Sequence, residues 1–440
     1  VSPGLPVFRD QFGVTEPEAS LLVSGYFVVG IALSPFVGVP TDRIGRKPVL
    51  VAGLSVFGLL GGSMAFAPSF EAVLALRVLQ GTGAAAIFIT TVTIVSDAFE
   101  GPQRNTVLGV NVAVLSVAAA LFPVLGGYLV TVDWRAPFLA YFAAVPVALA
   151  VFLGLPETRT RSESDGTGYL RAAAAEIATP RTLGLFGATL LTELLAFGVV
   201  FTAIPFLLGQ TLSPVLVGVA LLATEGVSTV VAAGNGRLAR RLSSDRLVAL
   251  GFCCYGLGFV GAWAATGATA VATALTVAGA GIGLLLPSID AAVSERVSAE
   301  YRAGAFSLRN STTFLGRAAG PLVFTGLASR PGLGYESLLL AAGAVALAVA
   351  VATLLVTSAT EAAKAPENET DRGRFTATRR ANRRRSPASR ATRRRGRYRR
   401  RRTGPSRRSR RPPRRSPARP PIAARPTAHR CSYPDIHRIV

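Results

Sequence analysis

Long apolar runs separated by brief polar breaks dominate this chain. A bilayer core takes about 20 apolar residues of helix. Runs of that kind cover 18–39, 48–67, 70–96, 105–130, 135–155, 183–208, 214–235, 247–267, 269–293, 304–328 and 335–358. Most breaks between them are short and rich in Gly, Pro and Ser. One is longer: 156–181 is polar, and within it Tyr169 to Ala178 reads as a short surface helix. The pattern predicts an all-α protein that crosses a membrane many times.

The eleven runs carry an internal echo. At an offset of 198 positions, Gly38, Arg43 and Gly53 match Gly236, Arg241 and Gly251. The same offset maps Gly81 and Gly83 onto Gly279 and Gly281, Ser96-Asp97 onto Ser294-Glu295, Arg104 onto Arg302, and Pro123 onto Pro321. A constant offset through loops and spans implies a duplicated bundle, a frequent plan among secondary transporters. The partner of span 183–208 then falls mostly before Val1, and Leu5 to Phe8 reads as the outer end of that helix. The expectation is two pseudo-symmetric six-helix bundles, the first largely lacking its first helix. The boundaries read as 1–155 for one bundle, 156–181 for a linker, 182–360 for the other bundle and 361–440 for a tail.

Charge orients the bundle. The net charge of +23 is concentrated in the tail, where residues 371–440 hold 26 Arg and two acids. The remaining residues are close to neutral. Loops on one side hold fourteen basic residues, among them Arg43, Arg46, Lys47, Arg104, Arg237, Arg240 and Arg241; the other side holds Arg9, Arg135 and Arg330. Basic loops stay in the cytoplasm, so the 38–47 loop, the linker and the tail are cytoplasmic and the chain belongs in the cell membrane. The tail is Arg, Pro, Ser and Ala, too polar to bury a core. Three readings of it stand open: nonspecific contact with anionic lipid, nonspecific contact with nucleic acid, or translation in a shifted frame of GC-rich DNA.

Several chemistries lack the residues they need. Both histidines, His429 and His437, lie in the tail, and Cys253, Cys254 and Cys431 have neither disulfide nor zinc spacing. No metal site or cofactor is expected. There is no phosphate-binding Gly-rich loop and no nucleophile with a base, so neither ATP-driven transport nor enzymology is supported.

Two motifs point to a family. Gly38 to Lys47 reads G-V-P-T-D-R-I-G-R-K, and Arg77 to Ala84 reads R-V-L-Q-G-T-G-A. They resemble the signature loop G-x-x-x-D-R-x-G-R-[RK] and the fourth-span signature R-x-x-Q-G-x-G-A of the major facilitator superfamily, especially its twelve-span drug:proton antiporters. Leu155-Pro156-Glu157-Thr158 resembles the usual end of the sixth span. The resemblance covers roughly residues 1–360 and implies a monomeric carrier that works by alternating access. The fifth-span antiporter signature G-x-x-x-G-P-x-x-G-G is half present: Pro123, Gly126 and Gly127 fit, but Ala118 and Phe122 replace its leading glycines. The direction of transport therefore stays open. Export of small amphiphilic compounds against protons is preferred, with proton-coupled uptake of a metabolite as the alternative. A membrane-anchored protein that binds anionic polymers through its tail is the third reading.

The resemblance assigns Gly38, Asp42, Arg43, Gly45, Arg46 and Lys47 to the cytoplasmic gate and Arg77 to proton transfer; Gln80, in the same signature, joins it as a candidate for proton coupling or substrate. The residues themselves add Glu193 and Glu225, each midway along a span. A charge in hydrocarbon is costly, so such groups usually face a wet cavity or a partner. A carboxyl in a dry cavity can exchange protons near neutral pH, as proton coupling or recognition of a cation requires. Asp290, Arg309 and Arg317 lie nearer the cytoplasmic ends, where ion pairing and transport are equally good readings. Gly81, Pro123, Gly126, Gly127, Gly320 and Pro321 would let helices flex or pack closely. Tyr26, Phe201, Phe206 and Trp263 are candidates for an apolar pocket or for lipid contact.

Overall fold

The computed structural model describes residues 1–33, 44–156, 166–298 and 300–359. All of them belong to one compact unit. Among them there are helices and no strands. This is one of the two inexpensive solutions for a chain in lipid, the other being a closed barrel, because a helix satisfies its backbone polar groups internally.

The helices, in chain order, are α1 (Leu5–Phe12), α2 (Glu16–Leu33), α3 (Arg46–Phe66), α4 (Phe70–Ala98), α5 (Gly101–Val132) and α6 (Ala136–Gly154). The surface helix α7 (Gly166–Ile177) follows. Then come α8 (Pro180–Leu208), α9 (Pro214–Leu238), α10 (Ser244–Ala264), α11 (Ala268–Arg296), α12 (Arg302–Ala328) and α13 (Tyr335–Ala359). Short side chains set several starts. Ser69, Thr179 and Ser243 accept hydrogen bonds from Ala72 N, Thr182 N and Arg246 N, filling donors that a helix N-terminus leaves open.

Ten of these helices are long and apolar enough to span a bilayer. The expected eleventh span, 304–328, is α12. It forms a helix of 27 residues but falls below the hydropathy of the rest. Arg302, Arg309 and Arg317 lie along it, and it packs against α2 and α8 in the middle of the bundle. Protein contacts replace lipid contacts there, so α12 tolerates charges that a peripheral span would not. The peripheral extreme is α5, whose most apolar stretch is 6 % buried, against 67 % for α8.

The two six-helix bundles meet along two seams, α2 with α12 and α5 with α9. Small residues bring the second seam together. A Cβ at Gly218 would lie 2.6 Å from Pro123 O, and one at Gly127 would collide with Pro214 O. In α12, a Cβ at Gly320 would lie 2.5 Å from Leu194 O of α8. Gly81 packs likewise against the backbone of Tyr26. These glycines therefore have a packing role that any flexing would have to preserve. Gly126 faces more open space, its Cβ position 3.7 Å from Val1 N. Pro123 and Pro321 lie inside continuous helices.

Candidate functional site: a central cavity and its two seals

A cavity of about 550 Å³ opens between the bundles. Tyr26, Phe27 and Gly30 of α2, Phe57 of α3, Gly81 and Phe88 of α4, and Arg309, Thr313, Phe314 and Arg317 of α12 line it, with Glu193 of α8 at its end. Most lining positions lie in the middle and cytoplasmic halves of their helices. The wall is aromatic, with a few polar groups that converge on it, as in small-molecule sites generally.

Glu193 and Arg317 form a forked ion pair in this wall. Arg317 Nε donates to Oε2 at 2.9 Å and Nη2 donates to Oε1 at 3.1 Å. Phe27 and Phe197 cover the guanidinium, 5.6 and 5.1 Å from their ring centroids. Phe197 sits where α8 widens into a π-helical stretch, Ala196–Ala203, and accepts a bond from Thr202 Oγ1 at 2.7 Å. Such widenings recur at functional positions. Glu225, on α9, lies in the electrostatic field of Arg317 and Glu193 but makes no hydrogen bond or ion pair among the described residues. Arg309 forms a second pair with Asp290 of α11 at 2.8 Å. Sequence reasoning singled out all five groups, but not who pairs with whom.

Arg77 is buried and lacks a carboxylate partner among the described residues. Its Nε donates to Leu22 O at 2.9 Å; Nη1 donates to Gln80 Oε1 at 2.7 Å and Tyr141 Oη at 3.1 Å. Tyr26 lies under the guanidinium at 4.6 Å. Gln80 in turn donates to Phe57 O at 3.1 Å. The signature pair thus forms a neutral-ligand cage around one cation, next to the cavity wall at Tyr26.

On the outer side the bundles are sealed. Tyr335 Oη donates to Glu16 Oε2 at 2.6 Å, and Arg9 Nη1 donates to Glu16 Oε1 at 2.9 Å. The Tyr335 ring stacks on Phe206, and Ser20 and Thr325 share a buried hydrogen bond of 3.1 Å. Leu5, Ala19, Val23 and Ala203 complete an apolar plug. Sequence reasoning missed this seal: Glu16 and Tyr335 are 319 positions apart, and neither lies in a recognisable motif.

On the cytoplasmic side, Gly38, Asp42 and Arg43 lie outside the described residues. Gly45 has φ of 107°, a conformation open in practice only to glycine, and starts α3. Arg46 is buried, and its Nε meets Asp97 Oδ2 of α4 at 2.5 Å. Lys47 Nζ sits over the Phe152 ring at 5.3 Å. Of the apolar pocket candidates, only Tyr26 lines the cavity. Phe206 belongs to the outer plug, Phe201 packs on the core of the second bundle and Trp263 is largely exposed.

The model of the Major Facilitator Superfamily matches residues 1–269 and 185–403. The chain belongs to this superfamily. A similar protein is the bacillibactin exporter of Bacillus subtilis (strain 168), 26 % identical over 74 % of this chain and 85 % of its own length. The quinolone resistance protein NorA of Staphylococcus aureus (strain MRSA252) is 26 % identical over 45 % of this chain and half of its own length. Among solved structures, a point mutant of the nucleoside transporter NupG superposes with a TM-score of 0.64 at 13 % identity, over 81 % of this chain and 94 % of that one. An inward-facing, unoccupied bacterial homolog to the human lysosomal transporter Spinster gives 0.63 at 16 %, over 81 % and 90 %. As a superfamily member the protein is a multi-pass transporter of the cell membrane.

Proposed function

We propose that this carrier exports small amphiphilic compounds by alternating access, in exchange for protons that enter through Glu193 and Glu225. The observation that carries the proposal is the cavity: aromatic walls around one forked ion pair, with a carboxyl in the same field, Glu225, that has no partner among the described residues. The aromatic wall accepts varied apolar bodies. Glu225 is placed to take and release a proton, and Arg317 to sense the charge on Glu193. The export activity named for the bacillibactin relative supports this direction, and the quinolone resistance named for the other is consistent with it. Uptake of a metabolite is the second reading, favoured by the incomplete fifth-span signature and by the fold shared with a nucleoside transporter.

The test is efflux of a fluorescent aromatic dye from cells, with and without a protonophore. Protonophore-sensitive efflux is expected, and Glu225→Gln is expected to abolish the sensitivity. Glu193→Gln leaves Arg317 without its counter-charge, a loss of about 3–5 kcal/mol for a buried pair. The double variant Glu193→Gln/Arg317→Gln should recover most of that stability but not transport. Proton entry into vesicles together with substrate, in the same direction, would establish uptake instead.

A further inference from the structure

The second copy of the signature loop has lost its acid: Arg240 stands at the position that corresponds to Asp42. The result is a group of three arginines, Arg237, Arg240 and Arg241, around a concavity of about 640 Å³ that Leu238 and Leu242 complete. None of the three guanidinium groups has a hydrogen-bond or ion-pair partner among the described residues. Arg237 lies in the last turn of α9, where a cation complements the helix dipole. Arg240 and Arg241 lie beyond the helix and have no such explanation.

The surface of α9 leading to this group has a distinct shape. Asn235 is buried and donates to Ser288 Oγ of α11 at 3.0 Å, which fixes the rotation of the helix end. At 100° per residue, the opposite face carries Val219, Gly226, Val230 and Arg237, with Gly234 on its flank. Val219 and Val230 are exposed, Val230 at 72 %, and nothing lies within 4 Å of a Cβ built on Gly226 or Gly234. An open apolar track therefore runs along a membrane-spanning helix and ends at three cations on the cytoplasmic side.

We propose that this face binds one anionic phospholipid of the inner leaflet. The phosphate sits among Arg237, Arg240 and Arg241, and an acyl chain lies along the Gly226–Val230–Gly234 track. Charge decides the occupant: three guanidinium groups without a partner among the described residues, on the cytoplasmic side, select a phosphate, and the apolar track selects a chain attached to it.

Native mass spectrometry of the full chain, released from phosphatidylethanolamine nanodiscs with added phosphatidylglycerol, tests this. Arg240→Gln/Arg241→Gln should weaken phosphatidylglycerol retention by about thirty-fold, from about 1 kcal/mol per surface cation. The charge-matched control Arg104→Gln/Arg171→Gln, on other cytoplasmic segments, should leave it unchanged. Gly234→Leu has room in the fold and should displace the lipid by filling the track. Equal losses in the two double variants would mean diffuse surface charge and overturn the proposal. Displacement by inorganic phosphate, with no effect of Gly234→Leu, would make it a free-phosphate site and overturn it too.

Discussion

The two bundles solve the same problem at their cytoplasmic ends with opposite polarity. In the first, Arg46 at the start of α3 holds Asp97 at the end of α4 at 2.5 Å. The corresponding positions in the second are Ser244 and Glu295, and they are still joined, with Ser244 Oγ donating at 2.8 Å. One residue further along each helix, Arg296 Nη2 of α11 donates to both carboxylate oxygens of Asp245 of α10, at 2.7 and 2.6 Å. Both bolts span 51 residues, so duplication preserved the geometry. The signs differ. Asp245 sits in the first turn of its helix and Arg296 in the last turn of its own, each complementing the local dipole. Arg46 and Asp97 occupy the same ends with the signs reversed, so each opposes the dipole, by about 0.3–1 kcal/mol. A bolt that works against two dipoles is poised to open, whereas one supported by them is a fixture. We propose on this ground that gating falls to the first bundle.

This contrast can be broken in order of effect. Asp245→Asn should cost about 2–4 kcal/mol, from a charge-assisted bond plus its dipole contribution. Transport per folded molecule should stay the same; thermal unfolding in detergent beside a transport assay reads both. The exchange Asp245→Arg/Arg296→Asp keeps the pair but turns it against the dipoles. It should cost about 1–4 kcal/mol, and the inner end of the second bundle should become labile to hydrogen exchange. Asp97→Asn should cost about 0.5–3 kcal/mol, less than Asp245→Asn, because relief of the dipole offsets part of the lost charge-assisted bond. Its transport should nonetheless fall sharply, since the inner gate no longer stays closed. Equal behaviour of Asp97→Asn and Asp245→Asn would abolish the distinction between the two bolts.

The fold was legible where hydropathy acts alone. The span edges read from apolar runs lie within a few residues of the helices, as with 335–358 against Tyr335–Ala359. The site was legible only as a set of residues. Glu193, Arg309 and Arg317 stand out as charges in apolar surroundings, but the Glu193–Arg317 pair joins helices 124 positions apart. Its existence depends on how α8 and α12 are rotated, and no local pattern encodes that. The spacing Arg309, Thr313, Arg317 was the available signal for a cavity face on α12, since steps of four stay on one side of a helix. Asp97 was visible as the counterpart of Glu295, yet nothing in the offset reveals that Arg46 reaches it. Phe27, Phe57 and Phe314 read as ordinary apolar residues, because lipid and cavity select the same chemistry.

The smallest effect separates geometry from electrostatics most cleanly. Ser244→Arg puts into the second bundle the residue that the first has at this place. With the same separation of 51 positions, the new guanidinium should reach Glu295. An exposed pair contributes about 0.2–1 kcal/mol. A cation in the first turn of α10 loses about 0.3–1 kcal/mol to the dipole. The two terms nearly cancel, so the net change in stability should be close to zero. A double-mutant cycle with Glu295→Gln should still return a coupling of about 0.2–1 kcal/mol. The first bolt carries the same opposition: a contact whose coupling exceeds its net contribution. A clear net gain from Ser244→Arg would show that the dipoles are too weak to matter at these ends, and the division of labour between the bundles would have to rest on the cavity instead.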